Sequence, residues 1–451
     1  MIWPKFKKNR HQQHLTQLAK LPKLSQQVEQ IKILYKPQDL RKILLEQITQ
    51  ATRSICIVAL FIEDDDGGKE VLSALYTAKK IRPYLDISIF VDWHRAHRSR
   101  IGTNIKNNNA DLYYELALKN PASFIPIYGV PINIREALGV LHFKGFIVDD
   151  FLIYSGASLN NLYLHKDRKY RYDRYYIIQN SKLTNTMFTW IQTNFKLAKA
   201  VHIISNSTSP NNYKISRFRS KLRNTNYQLE GNAGNQELAV TPLVGLGKRS
   251  LLNKTISNLM QSTKYKLTLC TPYFNLPTPL GESIITLLRE GKQVEIIVGD
   301  KTANDFYIPD HEPFKLMGTL PYLYEINLRS FLRRLQYYVN NGQLTIRIWK
   351  KYENSYHLKG IWVDKEWMLI TGHNFNPRAW KLDLENALLI HDPKHQLVFQ
   401  RDHELEKIRK NTFIITHFSE VESIIDYPLQ IRELIRFMRR IHLDKLINRL
   451  I

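Results

Sequence analysis

The chain has 451 residues, 43% of them hydrophobic and 11% aromatic, which suits a globular protein with an ample core and excludes a disordered one. Its 65 Lys and Arg against 41 Asp and Glu leave a formal charge of +24, so a polyanionic partner is expected, either an anionic membrane surface or nucleic acid. The two cysteines, Cys56 and Cys270, lie in apolar runs, which excludes a disulfide framework and speaks against a zinc site.

Residues 1–40 form a basic N-terminal segment, broken by polar residues through Gln17 and so unlike a secretory signal. No run of about eighteen apolar residues follows, and no bilayer-spanning segment is expected. A first α/β unit is placed at 41–204. Arg53 to Phe61 is β-rich, and the acidic loop Glu63–Asp66 after it reads as solvated. Val71, Leu72, Leu75 and Ala78 recur at helical spacing, and Ile87 to Asp92 is a second strand. His94, Arg95 and Arg98 follow that strand end, where α/β folds place ligand loops; His94 and Arg95 are candidate substrate contacts.

Then comes His142-Phe-Lys144, with Asp149 closing an apolar run. A connection at 205–236, poor in periodic apolar residues, carries a short helix from Ile215 to Arg223. The second unit, 237–400, repeats the order: strand Tyr265 to Phe274, helix Ser283 to Glu290, strand Val294 to Val298. Gly245 to Ser250 hints at a phosphate loop, but Arg249 separates Lys248 from Ser250 and a helix start is the better reading. His357-Leu-Lys359 and Asp364 then recur 215 residues after the first copy.

Two H-x-K-x4-D motifs in one chain point to phosphodiester chemistry. If His and Lys alternate on one strand face, two such strands meeting across a two-fold bring two imidazoles and two ammoniums to one point. One His can attack phosphorus, the other can move protons, and the lysines can hold anionic oxygens. Asp149 and Asp364 fall on the opposite face and read as structural turn or ion-pair residues. Ser158, Asn160, Asn374 and Asn376 lie in Gly-bearing turns after each motif and are candidates for phosphate or side-chain contacts. Asp173 and Glu385 open equivalent apolar strands, and each is expected to orient a catalytic histidine. The expected fold is therefore two similar α/β/α domains, with mixed, largely parallel sheets, an active site between them, and a basic helical tail at 401–451. From Pro428 onward, apolar residues recur at helical spacing beside Arg432, Arg436, Arg439, Arg440, Lys445 and Arg449, the pattern of an interfacial helix. Leu320 to Val339 is a second candidate of this kind.

The motifs resemble those of the phospholipase D superfamily. The runs LHFKGFIVDD, YSGASLN, KYRYDRYY, TPLVGLGK, TPYFNLP, VEIIVGDKTANDFYIP, PYLYEINLRSFL and NPRAWKLDLENALLIHDP are similar to those of Gram-negative type I phosphatidylserine synthases. That resemblance spans about residues 50 to 395. It implies transfer of a phosphatidyl group from CDP-diacylglycerol to L-serine through a phosphohistidine, with neither metal nor cofactor, on the cytoplasmic face of the inner membrane. In this reading His142 is the nucleophile, by superfamily habit, and His357 the acid and base. Lys144, Lys359, Asn160 and Asn376 hold the phosphoryl oxygens. Ala157 stands where many members carry Ser, which leaves that turn's polar contacts to Ser158 and Asn160. Hydrolysis by a phospholipase D or a basic phosphodiesterase or nuclease is the alternative, and a non-catalytic membrane binder a third, against which the complete His/Lys pairs argue. Nucleic acid is not expected as a substrate. Monomer and homo-oligomer both stay open.

Overall fold

The structure is a computed structural model that describes residues 3–98, 108–206, 209–309 and 311–450. Alternation governs the strands: Ile55 and Ile57 face an outer core while Cys56 and Val58 face the centre. The first sheet has eight strands, in the spatial order His202–Ile203, Ile127–Val130, Asp86–Asp92, Ser54–Val58, Gly145–Val148, Phe151–Ser155, Tyr175–Gln179, Ile31–Leu34. The second has nine and repeats this plan, with Lys266–Thr271 between Gln293–Gly299 and Gly360–Val363.

Pairing is parallel where the βαβ units lie, joining Ser54–Val58 to Asp86–Asp92 and on to Ile127–Val130. The second sheet does the same with Lys266–Thr271, Gln293–Gly299 and Leu344–Trp349. The expectation of largely parallel sheets is corrected here. Each motif strand runs antiparallel to its βαβ neighbour and returns through tight hairpins, so most pairings in both sheets are antiparallel. A tight hairpin can reverse a strand but cannot deliver a parallel one.

Helices Asp66–Ile81 and Pro37–Gln50 cover the outer face of the first sheet, and Leu251–Gln261 and Thr278–Arg289 that of the second. A central core joins the inner faces of both sheets through Tyr154, Trp362 and Leu388, together with Ser181–Ile191 and Val398–Arg409. The N-terminal segment is stitched into both halves. Leu24–Ser25 pairs with Ala239–Leu246, and Ile31–Leu34 with Tyr175–Gln179.

Past residue 400 the chain is not helical throughout. Thr412–Ile415 is a strand on the edge of the second sheet, and the expected long tail helix is two, Leu429–Arg440 and Leu443–Leu450, broken at His442 with φ +56°. Ile431, Ile435 and Met438 pack on Tyr322, Leu323 and Tyr427, so part of the apolar stripe belongs to the core. The second interfacial candidate lies in helix Leu320–Asn340 and turns Leu328 and Leu332 inward, while Arg329 donates to the Phe418 and Val421 carbonyls. Among the described residues no helix is long and apolar enough to cross a membrane.

Candidate active site between the two halves

The motif strands are Gly145–Val148 and Gly360–Val363, and each His-x-Lys lies in the extended stretch just before its strand rather than within it. At the other end, the Asp149 carboxylate accepts from the backbone N–H groups of Thr52, Arg53 and Ser54 at 2.8–2.9 Å. Asp364 does the same for Lys264, Tyr265 and Lys266. Both aspartates adopt φ near +50°. They tie the strand ends together, far from the motif histidines. Burial alone would raise the Asp149 pKa, but three backbone donors bring it below the usual value.

Each motif arm crosses to the other half. The His142 N–H donates to the Leu384 carbonyl at 3.0 Å, and the His357 N–H to that of Tyr172 at 2.8 Å. Leu384 and Tyr172 directly precede Glu385 and Asp173, so the crossing delivers each carboxylate to the opposite histidine. His142 Nδ1 lies 2.9 Å from both Glu385 oxygens, and His357 Nδ1 lies 2.9 Å from Asp173 Oδ2. All four side chains are buried. With Nδ1 held by a carboxylate, Nε2 is the nitrogen left to meet phosphorus in each ring.

The lysines differ. Lys144 Nζ donates to the Ser158 hydroxyl at 2.9 Å, whereas Lys359 Nζ donates to Asp173 at 2.9 Å and also contacts His357 Nδ1. Gly156 and Gly372 let the halves approach: a Cβ on Gly156 would sit 2.6 Å from Asp173 Oδ2 and 2.7 Å from Lys359 Nζ.

Asn160 and Asn376 are equivalent helix N-caps, accepting from the Tyr163 and Ala379 N–H groups; the Asn160 amide also donates to Glu63 at 2.7 Å. Their carbonyls are thus engaged, and only the amide N–H groups can face an anion. Asn374 uses its backbone carbonyl to accept from Thr371 Oγ1. Arg95 lies 3.1 Å from Glu136 on the wall of a cavity that Asn160 also lines. His94 is directed instead to the Asn133 carbonyl at 2.8 Å.

Several site residues escaped the sequence reading. Tyr163 brings its hydroxyl 3.1 Å from His357 Nδ1. The Asn386 side chain accepts from the Lys144 N–H and donates to its carbonyl, extending the backbone pairing of the first motif. Arg174 is held by Glu404 and donates to the Leu369 carbonyl beside the second motif. Asn386 and Arg174 directly follow Glu385 and Asp173, which was the one available signal.

Electrostatics separate the two pairs. Burial, then Lys144 and Lys359, hold His142 well below the usual histidine value, while burial and the nearby Asp383 raise Glu385 well above the carboxylate range. Burial would raise Asp173 too, but Lys359 and His357 outweigh it and keep this carboxyl ionised. Burial and Lys359 push His357 down to about 4, against the pull of Asp173, and burial and Lys359 push Lys144 down to about 7. An anion held between the lysines would favour the charged form of every nitrogen there.

A cavity of about 760 Å³ lies elsewhere, around Trp362, Asp364 and Arg401 at the far end of the second motif strand from His357. Among the described residues no group of three or more His, Cys, Asp or Glu is placed to hold a metal ion.

The family described as "Cardiolipin synthase, PLD-like domain" matches residues 256–408. The chain is 59% identical to the CDP-diacylglycerol–serine O-phosphatidyltransferase PssA of Escherichia coli (strain K12), covering 99% of each. It is 43% identical to the Haemophilus influenzae CDP-diacylglycerol–serine O-phosphatidyltransferase, covering 96% of this chain and 97% of that one. The crystal structure of phosphatidylserine synthase from H. influenzae Rd KW20 superposes with a TM-score of 0.94 at 42% identity, over 98% of this chain and all of the other.

Proposed function

Because this chain belongs to the family of CDP-diacylglycerol–serine O-phosphatidyltransferases, we propose that its two crossed His–carboxylate pairs carry the phosphatidyl transfer from CDP-diacylglycerol to L-serine in two displacements. The reaction yields phosphatidylserine and CMP. The observation that carries the mechanism is the pairing of His142 with Glu385 and of His357 with Asp173 across the interface.

His142 Nε2 attacks the phosphorus that bears diacylglycerol. The P–O bond to CMP breaks as the P–N bond forms, and His357 gives its proton to the departing oxygen. A neutral His142 is the nucleophilic form, in keeping with its lowered pKa. The ionised Asp173 stabilises the imidazolium that His357 must become, which suits His357 to proton transfer. The serine hydroxyl then gives its proton to His357 and attacks phosphorus, and His142 leaves. Lys144, Lys359 and the Asn160 and Asn376 amides neutralise the crowded phosphoryl oxygens. Ser158 holds Lys144 in place.

The lipid substrate places the protein at a membrane. Phe437, Ile441, Leu446 and Leu450 are exposed beside the exposed Arg436, Arg439, Arg440, Lys445 and Arg449. This outer half of the stripe is the surface offered to anionic lipid, with the protein peripheral on the cytoplasmic face of the inner membrane. The partly buried Arg432 lies nearer the core, donating to the Ile425 carbonyl.

The direct test is incubation of purified protein with CDP-diacylglycerol with and without L-serine. CMP release accelerated by serine, with phosphatidylserine as the lipid product, is expected. Phosphatidic acid formed at an undiminished rate in the presence of serine would make the protein a hydrolase.

A further inference from the structure

A cavity of about 370 Å³ opens beside the short helix Asn161–Leu164. Arg95, Arg98 and Arg171 line it together with Glu63, Asp65 and Asp167. Asn160, whose amide the reading above gives to the phosphoryl oxygens, also lines it. On its inner side the Arg171 guanidinium lies 4.8 Å over the Tyr163 ring, and the Tyr163 hydroxyl is 3.1 Å from His357 Nδ1. The cavity is thus one tyrosine removed from His357.

Reaction geometry decides what passes through this place. With His142 bonded to phosphorus, in-line displacement expels CMP on the opposite side, and the acceptor hydroxyl returns along the same line. Both events occur on the side of His357. The cavity walls then select between the two ligands. Carboxylates facing a phosphate would repel it, whereas these walls carry both signs. Arg95 and Arg98 share one carboxylate, Glu136, at 3.1 and 2.6 Å, so that cluster keeps a net positive charge. Asp167 stands exposed at the rim, and Glu63, already accepting from Asn160, lies further in. Opposite charges lining one cavity match a zwitterion.

We infer that this cavity is the subsite for the acceptor amino acid, with the Arg95–Arg98 wall holding the α-carboxylate and the acidic wall the α-ammonium. The assignment rests on the phosphatidyltransferase reading above and adds the residues that recognise the acceptor.

The test uses the full chain with Arg98→Gln, Arg98→Lys and the rim variant Asp167→Asn. Two rates are measured: transfer to L-serine over a range of serine concentrations, and exchange of labelled CMP into CDP-diacylglycerol without serine, which reports the first displacement alone. In Arg98→Gln the KM for serine should rise at least tenfold more than the exchange rate falls, and Arg98→Lys should recover part of the loss. Asp167→Asn, at an exposed position that cannot endanger folding, should raise the serine KM severalfold. An unchanged serine KM in Arg98→Gln and Asp167→Asn overturns the inference. Equal losses of exchange and transfer in Arg98→Gln overturn it as well, because they make the cavity the nucleotide site. Failure of wild-type protein to form phosphatidylserine would instead remove the parent reading.

Discussion

Glu385 and His142 are 243 positions apart in the chain, yet both Glu385 carboxylate oxygens stand 2.9 Å from His142 Nδ1. Asp173 and His357 repeat the relationship in the opposite sense. Neither half therefore holds a complete histidine–carboxylate pair of its own, and both pairs form only where the halves dock.

The crossed pairs predict how single carboxylate variants fail. Glu385→Gln should slow labelled CMP exchange by roughly 10²–10⁴-fold, since a misoriented imidazole keeps its contacts but loses its tautomer. Asp173→Asn should cost a similar factor in serine transfer, and each should be milder than alanine at the histidine it serves. Turnover within twofold of wild type in both variants would remove the orienting role.

Covalent catalysis predicts a trapped species. Acid quench of wild-type protein with labelled CDP-diacylglycerol and no serine should leave lipid phosphorus on a histidine. His142→Ala should lack this adduct, while His357→Ala should form it slowly. An adduct retained in His142→Ala would exchange the roles of the two histidines.

Buried neutral histidines predict acid sensitivity. Burial pushes His373 down to about 3 and His357 to about 4, both below the 6.5 of an exposed histidine. Between those values and 6.5 the unfolded chain binds protons that the folded chain refuses. Stability therefore rises with pH across this window and is lost as pH falls from 6.5, by about 1.4 kcal/mol per pH unit for each such histidine. His373→Asn, which keeps an acceptor for the Phe375 N–H, should flatten the slope measured by urea unfolding between pH 4 and 6 by about that amount. An identical slope in the variant would mean that His373 takes up its proton in the folded state.

The tail predicts salt-dependent membrane association. Replacing Arg436, Arg439, Arg440 and Arg449 by Gln should reduce sedimentation with phosphatidylglycerol vesicles while sparing activity on detergent-dispersed substrate. Salt should weaken the wild-type association, because surface charges are screened within about 8 Å at physiological ionic strength. If the variant sediments like wild type, the anchor lies on another surface.

Much of this was legible in one dimension, because the signals were local. The repeated His, Lys and Asp, the carboxylates that open equivalent apolar strands and the βαβ periodicity are all short-range patterns. Asp149 and Asp364 stand in the turns after the motif strands rather than on a strand face, a placement that alternation along a strand does not describe. The tail was read less well: periodicity marks Ile431, Ile435 and Met438 as apolar but cannot say whether lipid or Tyr322 and Tyr427 covers them.

The symmetric sequence motif leaves the two histidines equivalent, and only tertiary structure separates them. Tyr163 meets His357, while its counterpart Ala379, following the equivalent cap Asn376, has no hydroxyl to offer His142. Lys359 joins Asp173, while Lys144 turns to Ser158. These differences arise between residues far apart in sequence, where burial strips away water and lets one neighbouring hydroxyl or ammonium shift the proton balance. Composition and spacing determined which chemistry-bearing residues the chain carries; the packing of one half against the other decided which histidine is paired with which carboxylate.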